Sequence, residues 1–213
     1  MRPALVRVLA VATVLWACLA LAGGAMAATA SKAHPPAPIA TQTAILAGGC
    51  FWCMESDLKA VRGVISVDSG YTGGRLANPT YQDVLTEKTG HYEAVRVRFN
   101  PAQITYRQLL DRYWKLVDPT DTAGQFCDRG SSYRPAVFVD GSNQQKAAED
   151  SRTEAAKHLK TGKMTAVILP AKPFYPAEPY HRNFAQRNKD GYEMYRIGCG
   201  RDARLIELWG RAG

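Results

Sequence analysis

Between residues 93 and 99 the chain alternates, with Val95, Val97 and Phe99 on one side and Arg96 and Arg98 on the other. Period-two alternation predicts a half-buried strand. Apolar runs at 43–47, 64–71, 136–139 and 165–169 predict four further strands. From residue 51 to 61 the positions Phe51, Met54, Leu58 and Val61 recur at helical spacing, which predicts a helix there. Thr105 is placed to cap a second helix running through Val117, with Leu109, Tyr113 and Leu116 facing a core. A polar-rich third helix is predicted over 143–160. Residues 118–134 are dense in Gly, Asp and Ser and predict a long loop, and loops beyond about a dozen residues inside a domain are usually functional. From Lys172 onward periodic positions are few and aromatics many. Strands and helices interspersed without a repeat predict an α+β two-layer sandwich on a mixed sheet, with a loop-rich C-terminal region.

The chain has 213 residues, enough for one sizeable domain. Its hydrophobic and charged fractions are ordinary for a globular protein and favour neither a multi-span membrane protein nor a disordered chain. Residues 1–27 stand apart. Arg2 and Arg7 precede an uncharged apolar run over 8–21, and Ala25-Met26-Ala27 fits a small-x-small cleavage site. The run falls short of the roughly 20 residues a spanning helix needs. A cleavable signal at 1–27 is therefore expected, then a Pro-rich flexible linker at 28–42 and a single catalytic domain at 43–213. The expected mature protein is exported, periplasmic and monomeric, without stable membrane association. Cleavage lowers the formal charge from +8 to +6, because it removes two arginines and no acid. The remaining excess is dispersed and interleaved with no aromatic stripe, so a nucleic-acid partner is not expected.

Cys18 leaves with the signal, so Cys50, Cys53, Cys127 and Cys199 carry the thiol chemistry. In an exported chain these four also suit two structural disulfides. Local context separates them. Gly48-Gly49 follows a predicted strand and places Cys50 in the first turn of the helix, where unsatisfied N–H groups and the helix dipole favour a thiolate. A lowered pKa suits a sulfur nucleophile. Phe51 and Trp52 beside it are suited to wall a small apolar group.

Several segments agree with one pattern in the same order: Gly49-Cys50-Phe51-Trp52-Cys53-Met54-Glu55, Gly70-Tyr71-Thr72-Gly73-Gly74, Asn78-Pro79-Thr80-Tyr81, Thr89-Gly90-His91-Tyr92-Glu93, Asp118-Pro119-Thr120, Asp128-Arg129-Gly130-Ser131-Ser132-Tyr133-Arg134, and the stretch from Phe174 to His181. In these the chain resembles the methionine-S-sulfoxide reductase family, MsrA. The resemblance implies a ferredoxin-like fold, no metal and no bound cofactor, with a thiol reductant such as thioredoxin as co-substrate. It implies reduction of the S epimer of methionine sulfoxide, free or in proteins, through a cysteine sulfenic acid and then a disulfide, and so the repair of oxidised proteins. By the same resemblance Cys50 is the nucleophile and Glu93 the acid that protonates the sulfoxide oxygen. Tyr81 and Tyr133 hydrogen-bond that oxygen, Phe51 and Trp52 hold the substrate methyl, and Asp128 organises the site. These roles agree with the chemistry, since a departing oxygen needs a proton donor and a glutamate serves only if burial raises its pKa.

A sulfenic acid needs a second thiol. Cys199, in Gly198-Cys199-Gly200, is expected on a mobile tail and ranks first. Cys53 ranks below it, because helical i,i+3 neighbours sit about 5–6 Å apart, too far for a disulfide. Cys127 ranks last and departs from the asparagine common in the family. His91 reads as a packing or capping residue in the turn with Glu93, and His181 as a residue that orients a loop rather than a catalytic one. A thioredoxin-type dithiol–disulfide oxidoreductase is the alternative suggested by C-x-x-C, and a zinc module lacks a second close ligand pair.

Overall fold

The computed structural model describes residues 40–160 and 162–210, so the expected signal and residues 28–39 of the expected linker lie outside the described residues. Regular structure begins one residue before the expected domain start, with β1 (Gln42–Ala47). Helix α1 (Phe51–Lys59) follows, then β2 (Val64–Thr72), the short α2 (Tyr81–Leu85), β3 (Tyr92–Phe99) and α3 (Tyr106–Trp114). Thr105 caps α3 as expected, accepting from Gln108 N–H while the Gln108 side chain returns to Thr105 N–H.

The 118–134 segment is more ordered than a loop. It folds as a hairpin of β4 (Gly124–Gln125) and β5 (Asp128–Arg129), followed by a 3-10 turn at Ser131–Tyr133. Glu87 accepts hydrogen bonds from the backbone and hydroxyls of both Ser131 and Ser132 and so pins that turn. β6 (Ala136–Val139), α4 (Gly141–Lys157), β7 (Val167–Pro170) and β8 (Tyr175–Pro176) follow.

The sheet runs β7-β6-β1-β3-β2-β8. Only β6 and β7 pair in parallel, so the sheet is mixed and mostly antiparallel. Its alternation decides the core. Val95, Val97 and Phe99 are buried with Leu46, Val137 and α1 and α3 residues on one face, whereas Ala47, Ala94 and Phe138 belong to a smaller cluster on the other.

The C-terminal region is not loop-rich as expected. It forms α5 (Phe184–Arg187), α6 (Lys189–Gly198) and α7 (Arg201–Trp209). Apolar side chains on both faces of α6, buried Tyr192 against exposed Met194 and Ile197, blur the helical period that the sequence would otherwise display.

The β1–α1 junction leaves no room for side chains. A Cβ on Gly48 would lie 2.6 Å from Met54 Sδ, and one on Gly49 would lie 2.6 Å from Gln125 Cβ. Gly49 also has φ +83°, which a residue with a Cβ adopts only under strain. Gly49→Ala is expected to lower unfolding free energy by about 1–3 kcal/mol in a urea melt. The hairpin strand β4 must also shift, so proteolysis at 118–134 should accelerate. Unchanged stability and protection would show that the junction is not tightly packed.

Candidate active site

Cys50 occupies the N-cap position of α1, one residue before the first turn, with the extended ψ of 119°. Its carbonyl accepts from the N–H groups of Cys53 and Met54, so the thiol hangs at the mouth of the helix. Cys50 and Cys53 are buried together against Tyr192, Trp52 and Tyr195. Because Cys50 is outside the helix proper, the i,i+3 helical spacing does not separate the two thiols, which lie within hydrogen-bonding reach of each other.

Glu93 shares the odd-numbered face of β3 with Val95 and Val97, so the strand delivers its carboxyl under α1. There Oε2 accepts the Phe51 N–H at 3.0 Å. Burial raises Glu93 to about 8, against the opposing pull of that hydrogen bond, and the Asp128 charge adds to the rise. The carboxyl is thus largely protonated at neutral pH. Tyr133 lies within hydrogen-bonding reach of Glu93 and of Tyr81. Phe51 is buried, and Trp52, stacked on Phe184 with centroids 3.7 Å apart, is half-buried. Asp128 accepts the Tyr195 hydroxyl at 2.5 Å.

Two expectations need correction. The Cys50 thiol is not lowered by the helix dipole. Burial pushes it well up, and its hydrogen bond with Cys53 and the nearby Glu93 push in the same direction. Cys53 is the lowered thiol, brought to about 7 chiefly by its hydrogen bond with Cys50. Nor is Cys199 on a free tail. It ends α6 and forms a disulfide with Cys127 across 72 residues, with Cα atoms 4.8 Å apart. Cys127, Asp128 and Cys199 are the group among the described residues whose ligand-capable atoms gather within 4.8 Å, but its two sulfurs are joined to each other.

A family model of peptide methionine sulfoxide reductases matches residues 42–212. The chain belongs to that family. The peptide methionine sulfoxide reductase MsrA 2 of Caulobacter vibrioides is 60% identical over 192 residues, covering 90% of this chain and 97% of the relative. The MsrA of Bacillus subtilis is 45% identical, covering 79% and 96%. Among solved structures, Mxr1 of Saccharomyces cerevisiae in reduced form superposes with TM-score 0.68 at 29% identity, over 73% of this chain and 90% of that one. The methionine sulfoxide reductase A of Corynebacterium diphtheriae gives 0.61 at 30%, over 70% and 76%.

Three side chains at this reductase-family site were missed or undervalued in the sequence. Tyr195 reaches in from α6. Arg201, 1% exposed on α7, donates to Leu116 O at 2.5 Å and lies over the Phe126 ring, beside Gly48 O. No periodic signal announced either. His181, expected only to orient a loop, accepts the Trp52 indole N–H at Nδ1 at 3.2 Å, and its ring lies 4.4 Å from that of Tyr81. His91 does cap, as expected, accepting from Gly74 N–H and meeting Leu76 O through its other nitrogen.

Burial lowers the His181 pKa, with Glu178 opposing. Its unfolded form therefore takes up a proton at a pH where the folded form does not, so this contribution to stability is lost as pH falls below about 6.5. His181→Phe leaves the Trp52 N–H without its acceptor and should cost about 1–2 kcal/mol, with His181→Asn recovering part. The loss of stability between pH 6.5 and 5 should shrink in both variants when unfolding is followed by Trp fluorescence. An acid-side slope identical to wild type would remove His181 from this role.

Proposed function

We propose that the protein reduces the S epimer of methionine sulfoxide, free or in proteins, and so repairs oxidised proteins. The observation that carries this is a protonated, buried Glu93 hydrogen-bonded at the first turn of the helix headed by a buried Cys50. In this reading the Cys50 sulfur attacks the sulfoxide sulfur while Glu93 gives its proton to the oxygen. Tyr81 and Tyr133 supply preorganised hydroxyls where negative charge grows. Phe51 and Trp52 take the methyl from the opposite side, and Asp128 holds the neighbouring groups in place. Oxygen passes from substrate to Cys50, releasing methionine and leaving a sulfenic acid. The thiol of Cys53 then displaces that oxygen as water, and a thioredoxin-like dithiol reduces the resulting Cys50–Cys53 disulfide. With Cys199 tied to Cys127, Cys53 takes first place as resolving thiol and Cys199 gives up the rank the sequence assigned it. The dithiol oxidoreductase alternative is not favoured by the family match.

The order β6-β1-β3-β2 with crossovers through α1 and α3 supports a ferredoxin-like reading of the core. No metal or prosthetic group enters this chemistry. We also propose a monomer exported to the periplasm, with residues 1–27 removed and 28–42 as tether before the catalytic domain at 43–213. Among the described residues no helix is long and apolar enough to cross a membrane.

Cys50→Ser should form no methionine from methionine S-sulfoxide with dithiothreitol. Cys53→Ser should release one equivalent in a single turnover but recycle poorly with thioredoxin, while Cys199→Ser should recycle. Recycling by Cys53→Ser at the wild-type rate would return the resolving role to another thiol. Glu93→Gln keeps the acceptor for Phe51 N–H but has no proton to give, so the single-turnover rate should fall about 10²–10⁴-fold. Since the acid works only when protonated, the wild-type rate should decline as pH rises through about 8. A rate within about threefold of wild type in Glu93→Gln would exclude Glu93 as the acid.

A further inference from the structure

Arg201 is a buried charge whose pairing is incomplete. Its guanidinium donates to three neutral acceptors, Leu116 O at 2.5 Å, Met54 Sδ at 3.4 Å and Gly48 O at 3.5 Å, and covers the Phe126 ring at 4.5 Å. Its carboxylate partner is Asp57, whose Oδ2 lies 3.7 Å from Arg201 Nε. Among the described residues neither of those two atoms has a hydrogen bond. Asp57 gives its other oxygen to Arg196 at 2.9 Å. Arg196 is better matched, since it also donates to the Tyr192 hydroxyl at 2.9 Å and to exposed Asp202 at 2.7 Å. A buried charge short of its counter-charge is costly, and an arginine cannot shed its proton to escape that cost.

The two thiols lie beside this charge. Gly48 and Met54, both in contact with Arg201, bracket Cys50 and Cys53 in the chain. Asp57 follows Cys53 by four residues on the same face of α1, which puts their Cβ atoms about 5–6 Å apart. Tyr192, held by Arg196, packs against both sulfurs. Two guanidiniums and one carboxylate therefore stand one helical turn below Cys53. Their excess positive charge acts through a buried medium, where it is felt more strongly than in water. The other ionisable groups facing Cys53 are Cys50 on its own helix, Glu93 on β3, and Tyr192 and Tyr195 on α6. The hydrogen bond with Cys50 lowers Cys53 most and burial opposes it. Arg201 and then Arg196 lower it further, with Asp57 pulling the other way.

Resting on the reading of Cys50 as nucleophile and Cys53 as resolving thiol, we propose that Arg201 is a positioning residue of the resolving step, whose incompletely paired guanidinium stabilises the Cys53 thiolate as it attacks the Cys50 sulfenic acid. The Cys53 S–H bond breaks and its proton leaves. The thiolate electron pair forms the S–S bond while the Cys50 S–O bond breaks, and the departing hydroxide takes up one proton to become water. One proton is released and one consumed, and the oxidising equivalent passes from sulfenic acid to disulfide. The free charge is thus matched only while sulfur is anionic. Glu93 serves the substrate oxygen on one side of Cys50, and Arg201 serves the second thiol on the other.

The test follows the pH dependence of Cys53 alkylation by iodoacetamide at low conversion, site-resolved by mass spectrometry. Alkylation reads the thiolate whether or not sulfoxide is the substrate, so failure of the proposed function and failure of this role are distinguishable. Arg201→Met should move the Cys53 profile from about 7 upward by about one pH unit, so that thiolate at pH 7 falls from about one half to about one tenth. After a single turnover its sulfenic acid, trapped with dimedone, should persist about fivefold longer at pH 7 and clear normally at pH 9. Arg201→Lys keeps the charge and should stay within about 0.3 unit of wild type, even if less stable. Asp57→Asn removes the opposing carboxylate and should move the profile downward by about half a unit, a direction that mere loosening of the packing does not give. A wild-type Cys53 profile in folded Arg201→Met would overturn the proposal, as would an Arg201→Lys shift as large as that of Arg201→Met. Should Arg201→Met fail to fold, Asp57→Asn decides, and an unmoved or raised profile there rejects the role.

Discussion

The hydrogen bond from Phe51 N–H to Glu93 is the constraint on which the site depends. The first turn of any helix presents N–H groups without intrahelical partners, and a buried one must find an acceptor. Here the acceptor comes from β3, one of the two central strands of the sheet, with Glu93 opposite Tyr71 on β2. One bond therefore fixes the start of α1, the direction of the Cys50 thiol and the position of a carboxyl that burial keeps protonated. A shift of β3 by one residue would turn Glu93 to the far face together with Val95 and Val97. The buried valines thus hold the register of the acid.

The second half of the chain closes the site from above. Glu55, 3% exposed, accepts from Ser69 and from Asn183 N–H, tying α1 to the segment that begins α5. Glu178 takes the Tyr71 hydroxyl and the Tyr81 N–H, which sets the start of α2 and hence Tyr81. Arg204 meets Asp118 at 2.7 Å, so α7 holds the connection from α3 to the hairpin at its base. Apart from Ser69–Glu55, these contacts join residues more than eighty positions apart. They explain how helices that are short and largely exposed still order the surroundings of a nucleophile.

Strands β1, β2, β3 and β6 and helices α1, α3 and α4 were legible because each buries a face, and one-sided burial leaves a period in the sequence. The depth of Glu93 was legible in the same way, since 93, 95, 97 and 99 share a face. Tyr195 and Arg201 left no such trace, because a single inward side chain on a mostly wet helix does not make a pattern. The Cys127–Cys199 pair was hidden for another reason. Four cysteines allow several connectivities, and closeness in space across 72 residues has no local signature. The Cys50 expectation failed on magnitude: the helix end favours a thiolate, but enclosure by Cys53, Glu93 and apolar rings outweighs it.

A carboxyl held protonated in this way weighs on the fold. Unfolded, Glu93 ionises near its ordinary pKa of 4.5, whereas in the folded chain it holds its proton to about 8. The unfolded state therefore binds fewer protons between those limits, and stability falls as pH rises from 4.5 towards 8. A shift of that size corresponds to a loss on the order of a few kcal/mol at neutral pH. A disulfide closing 72 residues contributes a stabilisation of similar size, about 4 kcal/mol by chain entropy. The clip that holds Asp128 beside Tyr195 thus also offsets the burden of the acid that faces them. Wherever the surroundings are oxidising such a bond persists, and with it the offset.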